Sequence, residues 1–233
     1  LPISHCDLED ERVKVYCQPV LNTRTNRFAS AEALMRLELP ETGMVYPDQF
    51  IPMAERHDYI HTLSKIILNK TCRQIKRLEQ EGYQIDRVSV NFSILEFRRK
   101  EFCKDVMDII RQNEIPYEKV AIELTESWNE TEFDNIKNTI TSLQKLGIKF
   151  YLDDFGTGYS NFERIIGLPI DVIKFDRSLT ILAGKNAESR YMVGSFSDIF
   201  KNSHYEILFE GVENEKDEDQ CKQRNALYLQ GYK

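Results

Sequence analysis

Residues 148–160 read IKFYLDDFGTGYS, an apolar run that ends in two adjacent aspartates and is followed by a loop with two glycines. The same layout recurs along the chain, since short apolar runs end at polar residues and are followed by segments with helical spacing. Runs without strict alternation of apolar and polar residues are typical of strands covered on both faces, as in parallel sheets. Eight such runs occur, at residues 13–20, 28–36, 88–93, 119–126, 148–154, 171–176, 205–213 and 227–232.

The segments between these runs predict helices. A helical pattern covers Ile60–Glu81, which Gly82 ends, and another covers residues 131–147, with Thr131 as the cap and Gly147 as the stop. Residues 178–201 are also mostly helical in pattern, with a weak point at Ala183-Gly184-Lys185. Strands that alternate with helices predict a TIM-like (β/α)8 barrel of the α/β class.

The connection between the first two runs departs from that pattern. Only LNTRTNR (21–27) joins them, which is too short for a crossover helix and predicts an antiparallel pair. The sequence therefore predicts a modified TIM barrel with an antiparallel strand near the N-terminus, formed by residues 1–233 as one domain.

Composition narrows the class of protein. The 233 residues carry a net charge of −7, which argues against general nucleic-acid binding. The five cysteines contain no C-x-x-C pair, which argues against a zinc site or a disulfide framework and favours a reducing compartment. No signal peptide or membrane-length apolar run is visible. Because the chain starts at Leu1, we interpret it as a piece of a longer protein, a cytoplasmic domain whose parent protein could be anchored in a membrane.

Polar side chains follow the predicted strands where the active sites of such barrels lie, at the carboxyl ends. They are Glu32, Asn91, Glu123, Asp153, Asp154, Lys174, Glu210 and Gln230. So many carboxylates in one ring demand divalent cations, and ligands that are all oxygen favour Mg²⁺ or Mn²⁺ over zinc. Two cations bridged by an aspartate would suit attack of water on a phosphodiester. The alternative is that Asp153 and Asp154 only cap a loop, which the other strand-end groups disfavour.

Residues 154–156 spell DFG, which invites comparison with protein kinases. The sequence has no H-R-D catalytic loop, no phosphate-covering G-x-G-x-x-G and no P-loop, so a kinase is disfavoured.

An ordered series of motifs spans Tyr16 to Tyr232. It consists of QPV (18–20), EALMR (32–36), YPDQFIPMAE (46–55), VNFS (90–93), ELTE (123–126), DDFGTGYS (153–160), LPIDVIKFD (168–176), EGVE (210–213) and QGY (230–232). In this order and spacing the chain resembles the EAL domain of bacterial cyclic di-GMP phosphodiesterases. The resemblance implies hydrolysis of one phosphodiester bond of cyclic di-GMP to linear pGpG, which ends a second-messenger signal.

The resemblance also implies roles for the strand-end residues. One cation, Mg²⁺ or Mn²⁺, would be held by Glu32, Asn91, Glu123 and Asp153, and a second by Asp153, Asp154 and Glu210. Lys174 would orient the attacking water or stabilise charge, and Glu210 would also act as the base. Read alone, Lys174 would more often be a lysine that extends its charged end to solvent.

Further residues would bind the substrate or support the metal ligands and the loop after Asp154. Substrate contacts are expected from Gln18, Arg36 and Gln230, and support of the ligands and of the loop after Asp154 from Glu126, Glu213 and Asp176. The alternatives are a surface salt bridge for Arg36 and a solvated position for Glu126. The resemblance further implies a homodimer and an upstream sensor or GGDEF domain. A catalytically silent receptor for cyclic di-GMP or a protein-interaction module is the alternative function, and the complete ligand set favours the enzyme.

Overall fold

The computed structural model describes residues 10–40, 42–125, 132–157 and 162–232. Within them the sheet has nine strands: β1 Val13–Asn22, β2 Arg27–Leu39, β3 Gly43–Val45, β4 Arg87–Asn91, β5 Val120–Thr125, β6 Lys149–Phe155, β7 Val172–Phe175, β8 Glu206–Phe209 and β9 Tyr228–Gln230.

Eight of these strands close into a barrel. Their order is β1-β9-β8-β7-β6-β5-β4-β2, and a β1–β2 pair closes the ring, while β3 extends the outer half of β2. Strand β1 runs antiparallel to both of its neighbours, whereas β2 and β4 through β9 are parallel. The predicted modified TIM barrel with an antiparallel strand near the N-terminus is confirmed.

Helices cover the outside of the barrel. They are α1 Pro47–Arg56, α2 Ile60–Gln80, α3 Phe102–Gln112, α4 Phe133–Gln144, α5 Phe162–Gly167, α6 Arg177–Lys185, α7 Ala187–Asn202 and α8 Glu215–Lys222. Helix α2 shows why they pack there, because Leu63, Ile67 and Ile75 recur at helical spacing and are all buried. No helix in the described ranges is both long and apolar enough to cross a bilayer.

Two predicted helices differ in their bounds. Helix α4 begins at Phe133 and has Glu132 at the capping position; the expected cap, Thr131, lies outside the described residues. The single helix predicted over residues 178–201 is instead split at Asn186, whose side chain accepts a hydrogen bond from the Ser189 amide at 2.8 Å and starts α7. An asparagine side chain that bonds to the backbone in this way favours a helix start over a helix interior.

The barrel interior has an apolar lower layer and a polar upper end. Val20, Ala121, Tyr151, Val172 and Leu208 form a buried cluster that is separate from the larger core between strands and helices. Because side chains on a strand alternate between its two faces, the residue two positions further along also points inward. On β5 through β8 that residue is charged, which places the polar groups at the carboxyl ends of the strands.

Candidate active site

Strand register brings the predicted polar residues together. Gln18 on β1 lies opposite Glu32 on β2, and Asn91 at the end of β4 lies beside Glu123 on β5. The loop after β8 begins with Glu210, whose amide donates to the Phe175 carbonyl at 3.0 Å. The predicted run at residues 205–213 thus ends as a strand at Phe209, and Glu210 lies just beyond it.

Lys174 on β7 lies at the centre of these residues with no exposed surface. The distances from its Nζ to carboxylate oxygens are 2.7 Å for Glu123, 2.9 Å for Asp153, 2.9 Å for Glu210 and 3.2 Å for Glu32. A lysine that extends its charge to solvent is therefore ruled out. One ammonium group holds four carboxylates, so the cluster keeps a net negative charge when all of them are ionised.

Two amide side chains hydrogen-bond to the Glu32 carboxylate. Asn91 Nδ2 donates to Glu32 Oε1 at 2.7 Å, and Gln230 Nε2 donates to Glu32 Oε2 at 2.6 Å and to Gln18 Oε1 at 3.1 Å. Burial alone would raise the pKa of Glu32, but Lys174 and these two amides lower it below its ordinary value. These contacts therefore favour the ionised form of Glu32.

Three other carboxylates, those of Glu123, Glu210 and Asp154, differ from Glu32 because their pKa values are raised. Burial, followed by repulsion from Glu32, raises the pKa of Glu123 well above its ordinary value. Burial also raises the pKa of Glu210 to about 7, against the attraction of Lys174, and it raises the pKa of Asp154. The pKa of Lys174, which burial alone would lower, is raised by its four carboxylates, Asp153 first. The chain alone therefore does not provide enough positive charge for this ring.

Backbone geometry brings two adjacent aspartates to one place. Neighbouring residues of a regular strand point to opposite faces, but the β6–β7 register shifts between Leu152 and Phe155, and Asp154 has a φ of 57°. A non-glycine residue in this left-handed region is uncommon and is concentrated at functional sites. Carboxylate oxygens of Asp153, Asp154 and Glu210 consequently lie within 4.8 Å of one another.

The donor set fits two divalent cations. A second group, made of Glu32, Glu123 and Asp153, also has carboxylate oxygens within 4.8 Å of one another, so Asp153 belongs to both groups. Among the described residues, Glu123 Oε1 is buried without a hydrogen-bond partner, and a cation would satisfy it. Oxygen ligands of this kind are those that Mg²⁺ and Mn²⁺ prefer.

Two cavities adjoin the ring and share Leu34. One of about 450 Å³ is lined by Asn91, Asp153 and Asp154 together with residues of α1 and α2. The other, of about 590 Å³, is lined by Gln18, Arg36 and three tyrosines, which are Tyr16, Tyr46 and Tyr232. The Arg36 guanidinium lies 4.9 Å from the centre of the Tyr46 ring, and its Nη1 donates to the Met35 carbonyl at 2.8 Å. Arg36 thus lies along the cavity wall, where its guanidinium could bind an anion.

The predicted supporting residues lie farther out. Asp176 caps α6 by accepting from the Ser178 amide at 2.8 Å, and Glu213 pairs with Arg177 at 2.6 Å. Glu126 and residues 158–161 of the glycine loop lie outside the described residues.

Glu55 and Ser93 have no role predicted from the sequence, although they stand in the motifs YPDQFIPMAE and VNFS and both line the 450 Å³ cavity. Their side chains are hydrogen-bonded at 2.6 Å. The only signal in the sequence is that Ser93 follows Asn91 by two residues; nothing there predicts its contact with α1.

The family model of the EAL domain matches residues 5–233. The chain belongs to the EAL domain family. Cyclic di-GMP phosphodiesterase PdeL of Escherichia coli (strain K12) is 30% identical to it over 228 residues, which are 97% of this chain and 62% of PdeL. Signaling protein YkoW of Bacillus subtilis (strain 168) is 28% identical over 225 residues, which are 97% of this chain and 28% of YkoW. This EAL domain thus spans less than two thirds of the length of these curated relatives.

A solved structure gives the same picture of the fold. The PaMucR phosphodiesterase in a complex with c-di-GMP matches with a TM-score of 0.88 at 26% identity, covering 97% of this chain and 92% of that one.

Proposed function

We propose that this EAL domain is a metal-dependent phosphodiesterase that hydrolyses cyclic di-GMP to linear pGpG. The observation that carries the proposal is the ring around Lys174, in which two oxygen-ligand groups share Asp153 at the barrel mouth. Membership of the family and a relative named as a cyclic di-GMP phosphodiesterase support the choice of reaction and substrate.

Each residue of the ring has a proposed task. Glu32, Asn91, Glu123 and Asp153 would hold one Mg²⁺ or Mn²⁺, and Asp153, Asp154 and Glu210 would hold the other. Bound cations of this kind neutralise phosphate oxygens and lower the pKa of water, which supplies the nucleophile for phosphodiester hydrolysis. Lys174 keeps the carboxylates together and adds a positive charge next to the phosphate. Glu210, whose carboxylate lies 2.9 Å from Lys174 Nζ, is also the proposed base for the attacking water.

The two cavities support a proposed place for the substrate. Their volumes of about 450 and 590 Å³ lie in the range of small-ligand pockets, and they flank the ring on both sides of Leu34. We propose that one half of the dinucleotide occupies each cavity, that Arg36 and Gln18 contact it, and that Tyr46 offers a face for stacking. Gln230 is buried and acts on the substrate by holding Gln18 and Glu32 in place.

Three further proposals concern the protein around this domain. We propose a homodimer, supported by exposed apolar side chains on α6 and α7, among them Ile181, Tyr191 and Met192. We propose an upstream sensor or GGDEF domain, supported by the greater length of the curated relatives. We propose a cytoplasmic location for this domain, supported by the free thiols of Cys17, Cys72, Cys103 and Cys221.

The test is turnover of cyclic di-GMP by the purified chain, followed by chromatography with Mg²⁺, with Mn²⁺ and with EDTA. We expect pGpG to appear with either cation and to stop appearing in EDTA. Saturable binding of the nucleotide without product would instead support a silent receptor, and absence of both would support an interaction module.

A further inference from the structure

The segment that follows β4 is joined to α1 by one short hydrogen bond. Ser93 Oγ donates to Glu55 Oε1 at 2.6 Å and accepts from the Leu95 amide at 3.3 Å, which starts a 3-10 turn over Ile94–Arg98. Glu55 stands in the last turn of α1. We call Glu55 and Ser93 the α1–β4 clamp.

The clamp lies next to a proposed metal ligand. Asn91 is the last residue of β4, and the chain leaves the sheet after Phe92, whose amide donates to the Glu123 carbonyl at 3.0 Å. Because Ser93 is only two residues beyond Asn91, the position of its hydroxyl fixes the direction in which the chain leaves the strand. Both clamp residues and Asn91 line the 450 Å³ cavity.

A second contact holds the far end of the same segment. Ser64 on α2 donates to Glu96, and both residues are buried, as is Phe97 beside them. The far end is therefore anchored inside the core. The near end, which carries Asn91, is held by the backbone hydrogen bond of Phe92 to Glu123 and by the α1–β4 clamp, whose two residues are only partly buried.

The orientation of Asn91 depends on few contacts. Its Nδ2 donates to Glu32 Oε1 at 2.7 Å, which leaves its carbonyl oxygen as the atom that can face a cation. Contacts outside the immediate ligands that orient a ligand typically change metal affinity by roughly 10- to 100-fold when they are removed. The clamp is such a contact, because it acts on the ligand through the backbone.

We propose that Glu55 and Ser93 are positioning residues that hold Asn91 where it completes the first cation site. This inference rests on the proposed function, because it takes that cation site as given. Glu55 acts through its hydrogen bond to Ser93 and does not act through its charge.

The first measurement is calorimetric titration of the whole chain with Mn²⁺ alone, without nucleotide. We expect Glu55→Ala and Ser93→Ala to weaken Mn²⁺ binding about tenfold. Glu55→Gln should stay within about threefold of the wild type, because its amide oxygen still accepts from Ser93. Ser142→Ala is the matched control, since it also removes one hydroxyl hydrogen bond, from Ser142 to the Asn138 carbonyl on the exposed side of α4.

Folding is controlled separately. Circular dichroism should show the same spectrum for every variant. If Ser93→Ala does not fold, Ser93→Gly removes the same hydroxyl at a capping position, where glycine is tolerated far better than alanine.

The second measurement uses cleavage of cyclic di-GMP. The Mn²⁺ concentration for half-maximal rate should rise about tenfold in Glu55→Ala and Ser93→Ala and should stay within about threefold of the wild type in Glu55→Gln. If Glu55→Gln lost as much Mn²⁺ affinity as Glu55→Ala, the inference would be overturned, because Glu55 would then act through its negative charge and not through its hydrogen bond to Ser93. Wild-type Mn²⁺ affinity in Ser93→Ala, or no Mn²⁺ binding by the wild type, would also overturn it. Tight Mn²⁺ binding without any cleavage would refute the proposed function alone, and the titration would still decide the clamp.

Discussion

Two layers inside the same barrel differ in how their polar groups are satisfied. Strands β5, β6 and β7 each contribute one residue to the lower layer and, two positions later, one to the upper layer, and on β8 the second residue lies just after the strand. The pairs are Ala121 with Glu123, Tyr151 with Asp153, Val172 with Lys174, and Leu208 with Glu210. Inward-facing residues that are two positions apart on the chain thus belong to an apolar lower layer and to a charged upper layer.

The lower layer is complete within the chain. The Tyr151 hydroxyl lies 3.5 Å from Arg87 Nη1, and the Tyr228 hydroxyl donates to Glu206 at 3.2 Å. The upper layer holds four carboxylates around Lys174 and leaves Glu123 Oε1 without a hydrogen-bond partner among the described residues. A buried polar cluster that its own chain does not satisfy indicates a ligand, whereas a satisfied one indicates a contribution to stability.

The largest expected effect comes from removing an upper-layer carboxylate. Glu32→Ala and Asp153→Asn should each lower the rate of cyclic di-GMP cleavage by about 10³-fold or more, because a cation site lost from such a centre is worth several kcal/mol of transition-state stabilisation. Single-turnover kinetics with Mn²⁺ would measure the loss.

Circular dichroism provides the control for these two variants. Both should keep the wild-type spectrum, because Glu32 and Asp153 serve the ring and not the apolar core. Cleavage at the wild-type rate would contradict the cation assignment, and unfolding of both variants would show that the carboxylates are structural.

The next effect is on stability. Lys174→Met should lower the free energy of unfolding by about 4 kcal/mol in EDTA, because removing one partner of a buried ion pair leaves uncompensated charge. Mn²⁺ should recover part of that loss, since an ion that binds only the folded chain stabilises it. Urea denaturation with EDTA and with Mn²⁺ would measure both. A Lys174→Met variant as stable as the wild type in EDTA would mean that the ring does not need its central charge.

Most of the fold follows from local patterns in the sequence. The apolar runs locate the strands, the seven-residue connection at 21–27 requires the antiparallel β1–β2 pair, and the ends of β5 and β6 locate Glu123 and Asp153, whereas Glu32 lies in the middle of β2. These features depend on periodicity and connection length, which a single sequence displays directly.

The contacts within the site depend on how the barrel closes. Lys174 lies 142 residues from Glu32 in the chain, so nothing local shows that its Nζ lies 3.2 Å from that carboxylate. The left-handed φ of Asp154 and the contact of Glu55 with Ser93 are likewise set by packing. The helix break at Asn186 is different, because an asparagine that can cap a helix is visible in the sequence, directly after the weak stretch Ala183-Gly184-Lys185.

Glu96 is a buried carboxylate that lies outside both layers. Glu96 is nearly inaccessible, and burial raises its pKa from an ordinary value of 4.5 to about 8, against a hydrogen bond from Ser64 and the charges of Arg99 and Lys65. The folded chain therefore keeps this proton between pH 4.5 and about 8 while the unfolded chain loses it. Stability from this group is full below pH 4.5 and is lost as the pH rises towards 8.

Glu96→Gln should remove that dependence. An amide oxygen still accepts from Ser64, and no proton is needed to keep the side chain neutral. We expect the free energy of unfolding at pH 8 to rise by about 2 kcal/mol, and the difference from the wild type to shrink towards pH 5. Urea denaturation across this range would measure it, with exposed Glu101→Gln as the control. A difference that does not change with pH would show that Glu96 is ionised in the folded chain.

The smallest effect is expected in the lower layer. Tyr228→Phe removes one hydroxyl that donates to Glu206 at 3.2 Å and keeps the ring, so it should lower the free energy of unfolding by less than about 1 kcal/mol. Cleavage of cyclic di-GMP and Mn²⁺ affinity should be unchanged, although Gln230 of the upper layer lies only two residues further along β9. Urea denaturation and the cleavage assay on one preparation would test both statements. A large loss of activity with little loss of stability would mean that the two layers are coupled through β9. In that case the division of the barrel interior into a lower layer that gives stability and an upper layer that carries the chemistry would be wrong. The hydrogen bond from Tyr228 to Glu206 would then itself be part of the active site.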